Sequence, residues 1–457
     1  MTVSTSGNNE KFVATSAVDV ESKADGHVSF GQADAALEYL RAGEVATFSD
    51  VDEKKLLRKI DWMVVPLMWA IYFLQYLDKI LINYASVMGL LDDTGMRTDQ
   101  FSNLALAFYV SYLFFELPTG YFMQRLPTAK YLGLNEQPKR IGFWYLGTGT
   151  ATIVGALVAY GLLFYGGDKF YSWQIMFLIF GLITIAVGIT VIVVFPDNPM
   201  KSRLSHEEKL MVIERLRENR TGIENKNLKW GQFFEAFKDP QTYLIAIIIA
   251  SGNISNAAIS SFSSLIIKNF GFDTKETELL TIPGGVVSVI SILLGTYLAG
   301  RFDQRCFCII GILCSGLLGG CLMAFAPSDN KGAKLAGNYL TNCVGAALPL
   351  LYSTVGANVA GHTKKVTMNA IALMSFCLGN ILGPLSFRTE DEPEYMPAKV
   401  AIVATVSVAI AFTVALKCYY IWENRRRDRK CAGLQHEENS EFLDLTDKEN
   451  LEFRYKH

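Results

Sequence analysis

The sequence predicts an all-α polytopic membrane protein, and three observations support that fold class. Hydrophobic residues make up 51% of the 457-residue chain, and its mean hydropathy is +0.24. Charged residues make up only 19%, below the roughly 25% that is typical of soluble domains. The apolar residues are gathered in ten blocks, each of the length that a helix needs to cross a bilayer, roughly 20 residues.

The ten predicted spans follow one another through short connections, with one exception. They cover residues 62–85, 101–124, 141–165, 173–195, 241–266, 279–300, 306–326, 334–358, 366–388 and 397–421. One long connection divides them into a four-span part and a six-span part. The predicted organisation is therefore a mostly disordered cytosolic tail, a four-span bundle, a cytosolic loop, a six-span bundle and a second cytosolic tail, at residues 1–60, 61–195, 196–240, 241–421 and 422–457.

The connections alternate in charge along the chain. Lysine and arginine gather before Trp62, in 125–140, in the long loop, at Arg301 and Arg305, at Lys364 and Lys365, and after Asn424. The other connections are short and often acidic, at 92–93, 166–168, 273–278, near Asp329 and at 390–394. We call these two sides the basic end and the acidic end. Because lysine and arginine mark the cytoplasmic side, both termini are predicted to be cytosolic.

The long loop carries one recognisable local signal. Residues 205–220 are predicted to form an amphipathic helix, with Ser205 as its N-cap and Glu208 at the capping-box position. Its hydrophobic and basic residues suit the surface of the inner leaflet, and they suit a solvated linker helix equally well.

The first span carries a polar stripe with a charge pair. Asp78 and Lys79 are adjacent and ionisable within an apolar block, and such residues usually face a bundle interior or a substrate path. At helical spacing, one arc collects Tyr72, Gln75, Tyr76, Lys79 and Asn83, with Asp78 just beyond its edge. The stripe predicts a span that lines a cavity. The alternative is a satisfied pair near the outer interface, with Lys79 extending to the head groups.

A second polar stripe begins the six-span part. Asn253, Asn256, Ser260 and Ser264 share one arc, which hydrogen bonding between helices would explain as well as substrate contact does. Polar stripes on the first span of each part nevertheless point to a site between the two parts. Glu116, in the second span, is a further ionisable residue at depth.

Several function classes are disfavoured. A net charge of −2 gives no basic surplus for nucleic acid, and the cysteines form no CxxC pair for zinc. The sequence contains no HExxH motif, nucleophile elbow or GxxxxGK[ST] loop, which argues against an enzyme and against an ATP-driven pump. No cofactor or metal is expected.

Several segments resemble the major facilitator superfamily and, within it, the fungal allantoate permease family of anion:cation symporters. The resemblance runs from about Lys55 to the C-terminus. It rests on YLDKILINYA in the first span, EQPKRIGFWYLGTG at 136–149, Trp173 to Gly181, FPDNP, LSHEEK at 204–209, NVAGHTKK at 358–365 and FLDLTDKEN at 442–450. It implies a monomeric two-bundle transporter of the plasma membrane that takes up a small organic anion with protons.

The resemblance also reveals a departure, because that family has twelve spans. KYLGLN, similar to the start of a third span, runs directly into EQPKRIGFWY, similar to the start of a fifth, near Asn135–Glu136. The third and fourth spans are therefore expected to be absent, and with them the arginine and glutamate that the family associates with substrate and proton. The chain is then either a mis-spliced or mis-predicted product of a transporter gene, or an expressed protein that transports poorly.

The function implied is proton-coupled uptake of a carboxylate-bearing metabolite, such as allantoate, ureidosuccinate, a vitamin or a short peptide. Lys79 would bind the anion, Asp78 or Glu116 would carry the proton, and hydrogen bonds would come from Gln75, Asn83, Asn253, Asn256 and Tyr352. The alternative is a transporter-like nutrient sensor that binds without transport.

Overall fold

The structure is a computed structural model that describes residues 53–125, 143–167, 169–194, 205, 208, 229–327, 329–431, 446–450 and 453–456. All regular elements in these ranges are helical, and nine of the helices found there are long and apolar enough to cross a membrane. The predicted all-α polytopic fold class is therefore confirmed. Most of the predicted N-terminal tail lies outside these ranges.

The four-span part consists of four long helices. They are α1 (Glu53–Ala85), α2 (Thr98–Arg125), α3 (Gly147–Leu162) and α4 (Ser172–Val194). A π-helical turn at Ser86–Leu90, with Gly89 at φ +110°, lets the chain leave α1 and reverse. The connection 126–142, including Asn135–Glu136, lies outside the described residues.

The six-span part follows the long loop. Its helices are α5 (Trp230–Lys238), α6 (Pro240–Asn269), α7 (Thr274–Phe302), α8 (Arg305–Phe325), α9 (Lys331–Thr341), α10 (Ala347–Asn358), α11 (His362–Leu382) and α12 (Met396–Cys431). A 3₁₀ turn at Asn342–Ala346 joins α9 and α10 into one span. Each of the ten predicted spans coincides with one of the long helices or with this joined span.

The predicted capping box of the long loop is present. The Glu208 backbone N–H donates to Ser205 Oγ at 3.2 Å, and the Ser205 N–H donates to Glu208 Oε2 at 2.8 Å. The Lys59 ammonium also donates to Glu208, at 2.7 Å, and this bond holds the pKa of that carboxyl below its usual value. The rest of the predicted helix at 205–220 falls outside the described residues.

Three pairs of helices join the two parts: α1 with α6, α2 with α11, and α3 with α7. Glycine permits the closest approach, since a Cβ atom on Gly285 of α7 would lie 2.8 Å from the Gly149 carbonyl oxygen of α3. Small residues at such crossings allow two backbones to pack closely in lipid. By contrast, α4 exposes Leu182, Ile185 and Val193, which suits contact with acyl chains.

At the basic end, a buried ion cluster ties the C-terminal segment to the six-span part. Lys364 Nζ lies 2.9 Å from Glu235, 2.8 Å from Asp239 and 2.7 Å from Asp447, and its side chain is fully buried. Burial acts to raise the pKa of Asp239, but the Lys364 ammonium more than offsets this and holds the pKa below its usual value.

Residues 446–450 and 453–456 of this segment complete the packing. The Tyr455 hydroxyl donates to Asp447 at 2.6 Å, and the Arg427 guanidinium donates to that hydroxyl at 2.9 Å. The Asn358 side chain forms two bonds with the Lys456 backbone, each 2.7 Å long. The segment therefore joins the ends of α10, α11 and α12 with α5.

Lys364→Met should destabilise the protein by about 3–5 kcal/mol, because it leaves buried carboxylates without their cation. Unfolding in detergent, followed by fluorescence-detected size exclusion, measures the loss. Lys365→Met is the matched control, since its ammonium donates to the Gly356 carbonyl at 2.9 Å and its loss should cost about 1 kcal/mol. Equal losses in the two variants would contradict the role of the cluster.

The same cluster predicts a pH dependence. The lowered pKa of Asp239 means that its contribution is complete above the ordinary aspartate pKa and is lost as pH falls through the lowered value. In Lys364→Met, burial acts on Asp239 without the offsetting ammonium and raises its pKa, so the stability difference from wild type should narrow as pH falls from neutral through mildly acidic values. A difference that grows on acidification would rule out this account.

Candidate functional site

A polar cavity lies between the two parts, where α1, α3, α6, α7 and α9 meet. It contains about 380 Å³ of space, which includes space open to solvent. Its lining is Tyr76, Ile80, Asn83, Tyr84, Thr152, Ile259, Ser260, Ser263, Thr281, Gly284, Asn338, Tyr339 and Asn342. Thr281 lies seven residues into α7, so the cavity begins about 10 Å from the end of that helix at the acidic end, at 1.5 Å per residue.

The cavity wall is a hydrogen-bonded surface built from both parts. Asn338 donates to Ser263 Oγ at 2.9 Å, and the Tyr84 hydroxyl donates to the Thr152 carbonyl at 2.8 Å. Hydroxyl and amide groups can form more than one hydrogen bond, so these groups of the cavity wall could also bond to a polar solute.

Lys79 lies beside this cavity and points between two aromatic rings. Its Nζ is 5.2 Å from the ring centroid of Tyr76 on α1 and 5.2 Å from that of Tyr109 on α2. Such cation–π contacts are worth roughly 0.5–2 kcal/mol. No ion pair of Lys79 is present among the side chains that the structure describes. Because Tyr76 also lines the cavity, one ring separates the ammonium from the cavity space.

The other predicted residues of α1 face different directions. Asn83 lines the cavity, whereas the Gln75 side chain is exposed at the protein surface. Asp78 accepts a hydrogen bond from Thr184 of α4 at 3.0 Å and is directed towards that helix. The structure therefore brings Lys79 and Asn83 to one region and places Gln75 and Asp78 outside it.

The predicted residues of the six-span part line a second space. Asn253 and Asn256 face a cavity of about 280 Å³ that lies within the six-span part and is otherwise mostly apolar. Asn253 donates to the Ile249 carbonyl of its own helix at 2.7 Å. Tyr352 is half-buried on α10 and packs against the core. The side chain of Glu116 lies outside what the structure describes.

Hydrogen bonds between the two parts cluster at the acidic end. The Asn83 amide donates to Ser264 Oγ and accepts from the Ser264 N–H, each at 3.0 Å. The Thr389 N–H donates to Asp99 at 2.9 Å, and Ser102 donates to the Phe387 carbonyl at 3.1 Å.

An aromatic layer reinforces this closure. Phe262 of α6 stacks on Phe387 with centroids 4.1 Å apart, and Phe101 of α2 meets Phe262 edge-on at 5.3 Å. These rings therefore hold α2, α6 and the connection between α11 and α12 together at the acidic end.

Glu278 of α7 is a buried ionisable residue that sequence reasoning missed. Its position next to Asp273 and Glu276 assigned it to an acidic connection, but α7 begins at Thr274 and includes it. It is fully buried. The signal that could have found it is helical spacing, since Glu278, Thr281 and Gly285 recur on one face.

The described residues contain no group of three His, Cys, Asp or Glu side chains arranged to hold a metal ion.

Residues 128–384 match the Major Facilitator Superfamily. An uncharacterized transporter of Schizosaccharomyces pombe is 33% identical over 476 positions, which cover 92% of this chain and 93% of that protein.

Saccharomyces cerevisiae relatives named for a function include two of similar identity. The thiamine pathway transporter is 33% identical over 467 positions, with 91% of this chain and 89% of that protein covered. Allantoate permease is 32% identical over 488 positions, with 92% and 90% covered. These alignments exceed the 457 residues of the chain, so each relative carries residues without a counterpart here.

The fold has a solved counterpart. A bacterial homologue of the human lysosomal transporter Spinster, in an inward-facing and unoccupied conformation, superposes with a TM-score of 0.51 at 14% identity. The match covers 77% of this chain and 96% of that one. At this identity the likeness concerns the fold alone.

The closure at the acidic end predicts a specific cross-link. Asp99→Cys with Thr389→Cys should form a disulfide on mild oxidation, because the two native side chains are hydrogen-bonded and their Cβ atoms lie close together. Cleavage at a protease site inserted in the loop at 209–228, followed by non-reducing gel electrophoresis, detects it as fragments that stay joined.

The matched control pairs Thr389→Cys with Gln100→Cys. Gln100 is the next residue of α2, and its side chain accepts from the Arg97 N–H. Each single cysteine variant, tested alone, shows how much cross-linking the native cysteines contribute. Equal cross-linking of the two pairs would show that the acidic end is not held in the described contact.

Proposed function

The chain belongs to the major facilitator superfamily and is a secondary transporter, and we propose that it takes up a small carboxylate-bearing metabolite together with protons. The proposed location is the plasma membrane, with both termini cytosolic and the protein monomeric. The named relatives support a small polar metabolite as the substrate, since one is an allantoate permease and another a thiamine pathway transporter.

The ammonium of Lys79 is the observation that supports an anionic substrate. Removing an ammonium ion from water is costly, and two tyrosine rings recover only part of that cost. A substrate carboxylate that displaces or passes the Tyr76 ring would supply the missing counter-charge. The resulting charge-assisted hydrogen bond is of the strong kind.

The cavity wall would hold the remainder of the substrate. Asn83 supplies an amide at the same level as Lys79, and Ser260, Asn338 and Asn342 supply hydroxyl and amide groups from the six-span part. We propose these groups as the first contacts. Asn253, Asn256 and Tyr352 lie deeper in the six-span part and would act at a later stage of passage.

Proton coupling requires an ionisable group within the spans. Asp78 is a proposed carrier because it adjoins Lys79 in sequence and its one described bond, from Thr184, leaves acceptor capacity free. Glu116 of α2 is the second proposed carrier. Protonation of either would change the charge balance around Lys79.

Transport would alternate by rocking one part against the other. The contacts at the acidic end hold the described state closed on that side, so loading from there requires their rupture. Because they are a handful of hydrogen bonds and one aromatic layer, each worth about 1 kcal/mol, the opposing state is energetically accessible.

Lys79→Ala should abolish uptake, whereas Lys79→Arg should retain a measurable part, because arginine keeps the positive charge. The loss is expected to be at least about tenfold, from a charge-assisted bond worth roughly 1.5–3 kcal/mol. Labelled allantoate, ureidosuccinate, nicotinate, biotin, pantothenate and a dipeptide should be tested in proteoliposomes, with and without a proton gradient.

Gln75→Ala is the matched control, because Gln75 lies one turn from Lys79 and is exposed at the surface. Uptake that is unchanged by Lys79→Ala and by the proton gradient would disprove this mechanism. Saturable binding of one of the labelled compounds, without uptake, would instead favour a nutrient sensor.

A further inference from the structure

Resting on the proposed function, we propose that Glu278 is a proton-binding site of the transport cycle, located at the contact between the two parts. No residue at the acidic end of α7 was implicated by sequence. The proposal concerns the same cavity as the substrate site but a different helix, and it assigns a role to a carboxyl group that the anion site does not use.

The surroundings of Glu278 favour the neutral acid over the carboxylate. The side chain is fully buried, and neither carboxyl oxygen has a hydrogen-bond partner among the described residues. An isolated buried carboxylate is costly by many kcal/mol, so a group in this position binds a proton instead. The adjacent Thr277 hydroxyl is likewise buried without a described partner, and it stabilises no charge.

The charged groups nearest in sequence are occupied elsewhere. Lys275 lies 4.2 Å from the ring centroid of Phe164, and Glu276 accepts from the Asp273 N–H at 3.2 Å in the capping box of α7. Across the contact, Tyr84 of α1 lies close enough to Glu278 to interact with it electrostatically.

α3 and α9 also pack against α7. Tyr339 of α9 lines the cavity together with Thr281, and its buried hydroxyl lacks a described partner.

The cavity begins one helical turn from Glu278. Thr281, one turn further along α7, lines the cavity and donates to the backbone carbonyl of Glu278 at 2.7 Å. Tyr84 lines it from the opposite part. Because α7 contacts α3 here, a separation of the two parts at the acidic end would bring water to the carboxyl group.

The proposed proton cycle has two steps, uptake and release. With the acidic end open, a hydronium ion from that side gives its proton to the carboxylate, forming the O–H bond and leaving water. With the acidic end closed and the cavity open to the basic end, the O–H bond breaks and the proton passes to water in the cavity. In this cycle, the state that is closed at the acidic end carries the protonated Glu278 together with the substrate anion before release.

The first test detects the proton directly and needs no substrate. The full chain is reconstituted in phosphatidylethanolamine–phosphatidylglycerol vesicles and studied by infrared difference spectroscopy at neutral pH. Wild type should show the carbonyl stretch of a protonated carboxylic acid, Glu278→Gln should lack that band, and Glu276→Gln should keep it. An unchanged band in Glu278→Gln overturns the proposal.

The second test separates a proton-coupling role from a structural one. Glu278→Gln mimics the protonated form. Counterflow exchange of whichever labelled compound the wild type transports should therefore persist, while accumulation of that compound driven by a proton gradient should be lost. Glu278→Asp should restore part of the gradient response, because it keeps a carboxyl group. Gradient-driven accumulation by Glu278→Gln equal to that of wild type overturns the proposal.

The outcomes distinguish this inference from the proposed function. Wild-type protein that accumulates nothing in response to a proton gradient disproves proton-coupled uptake, whatever Glu278 does, and the infrared result then decides whether Glu278 binds a proton. Size-exclusion profiles of the variants identify any loss that comes from misfolding.

Discussion

The contact between the two parts at the acidic end is the constraint on which the rest of this structure depends. It is built from few groups: the reciprocal pair of Asn83 and Ser264, the bonds of α2 to the α11–α12 connection, and the stack of Phe262 on Phe387. Buried polar groups that are fully paired specify one arrangement, whereas the same groups left unpaired would be costly. The contact therefore favours two discrete states, closed or hydrated.

The opposite end of the six-span part has a different character. Lys364 joins Glu235 and Asp239 to Asp447 of the C-terminal segment, and residues 446–450 and 453–456 of that segment bond to the ends of the helices. An ion cluster of this kind rigidifies the element that contains it without linking it to the four-span part. In the proposed rocking motion, the six-span part would move as one body and the acidic-end contact would be an interface that changes.

The sequence predicted the spans, the capping box of Ser205 and Glu208, and the nearness of Lys79 and Asn83 to a polar cavity, because each depends on periodicity or on local bonding. It could not predict the direction of Asp78. A residue at the edge of a helical arc can face either side, and here the hydrogen bond from Thr184 of α4 determines which side Asp78 faces. It placed Glu278 in a connection because nearby Asp273 and Glu276 are acidic. Only the packing of α7 against α3 distinguishes a buried carboxyl group from its exposed neighbours.

Charge accounting links the two proposed sites. Lys79 contributes a positive charge without a described carboxylate partner, and Glu278 is a carboxyl group in surroundings that disfavour its ionised form. Binding an anion at Lys79 and a proton at Glu278 adds no net charge, so a loaded cavity would face no electrostatic penalty when it closes against lipid. Either ligand alone would leave one uncompensated charge within the spans, which opposes closure. Obligatory pairing of anion and proton would then follow from electrostatics, without direct contact between Lys79 and Glu278.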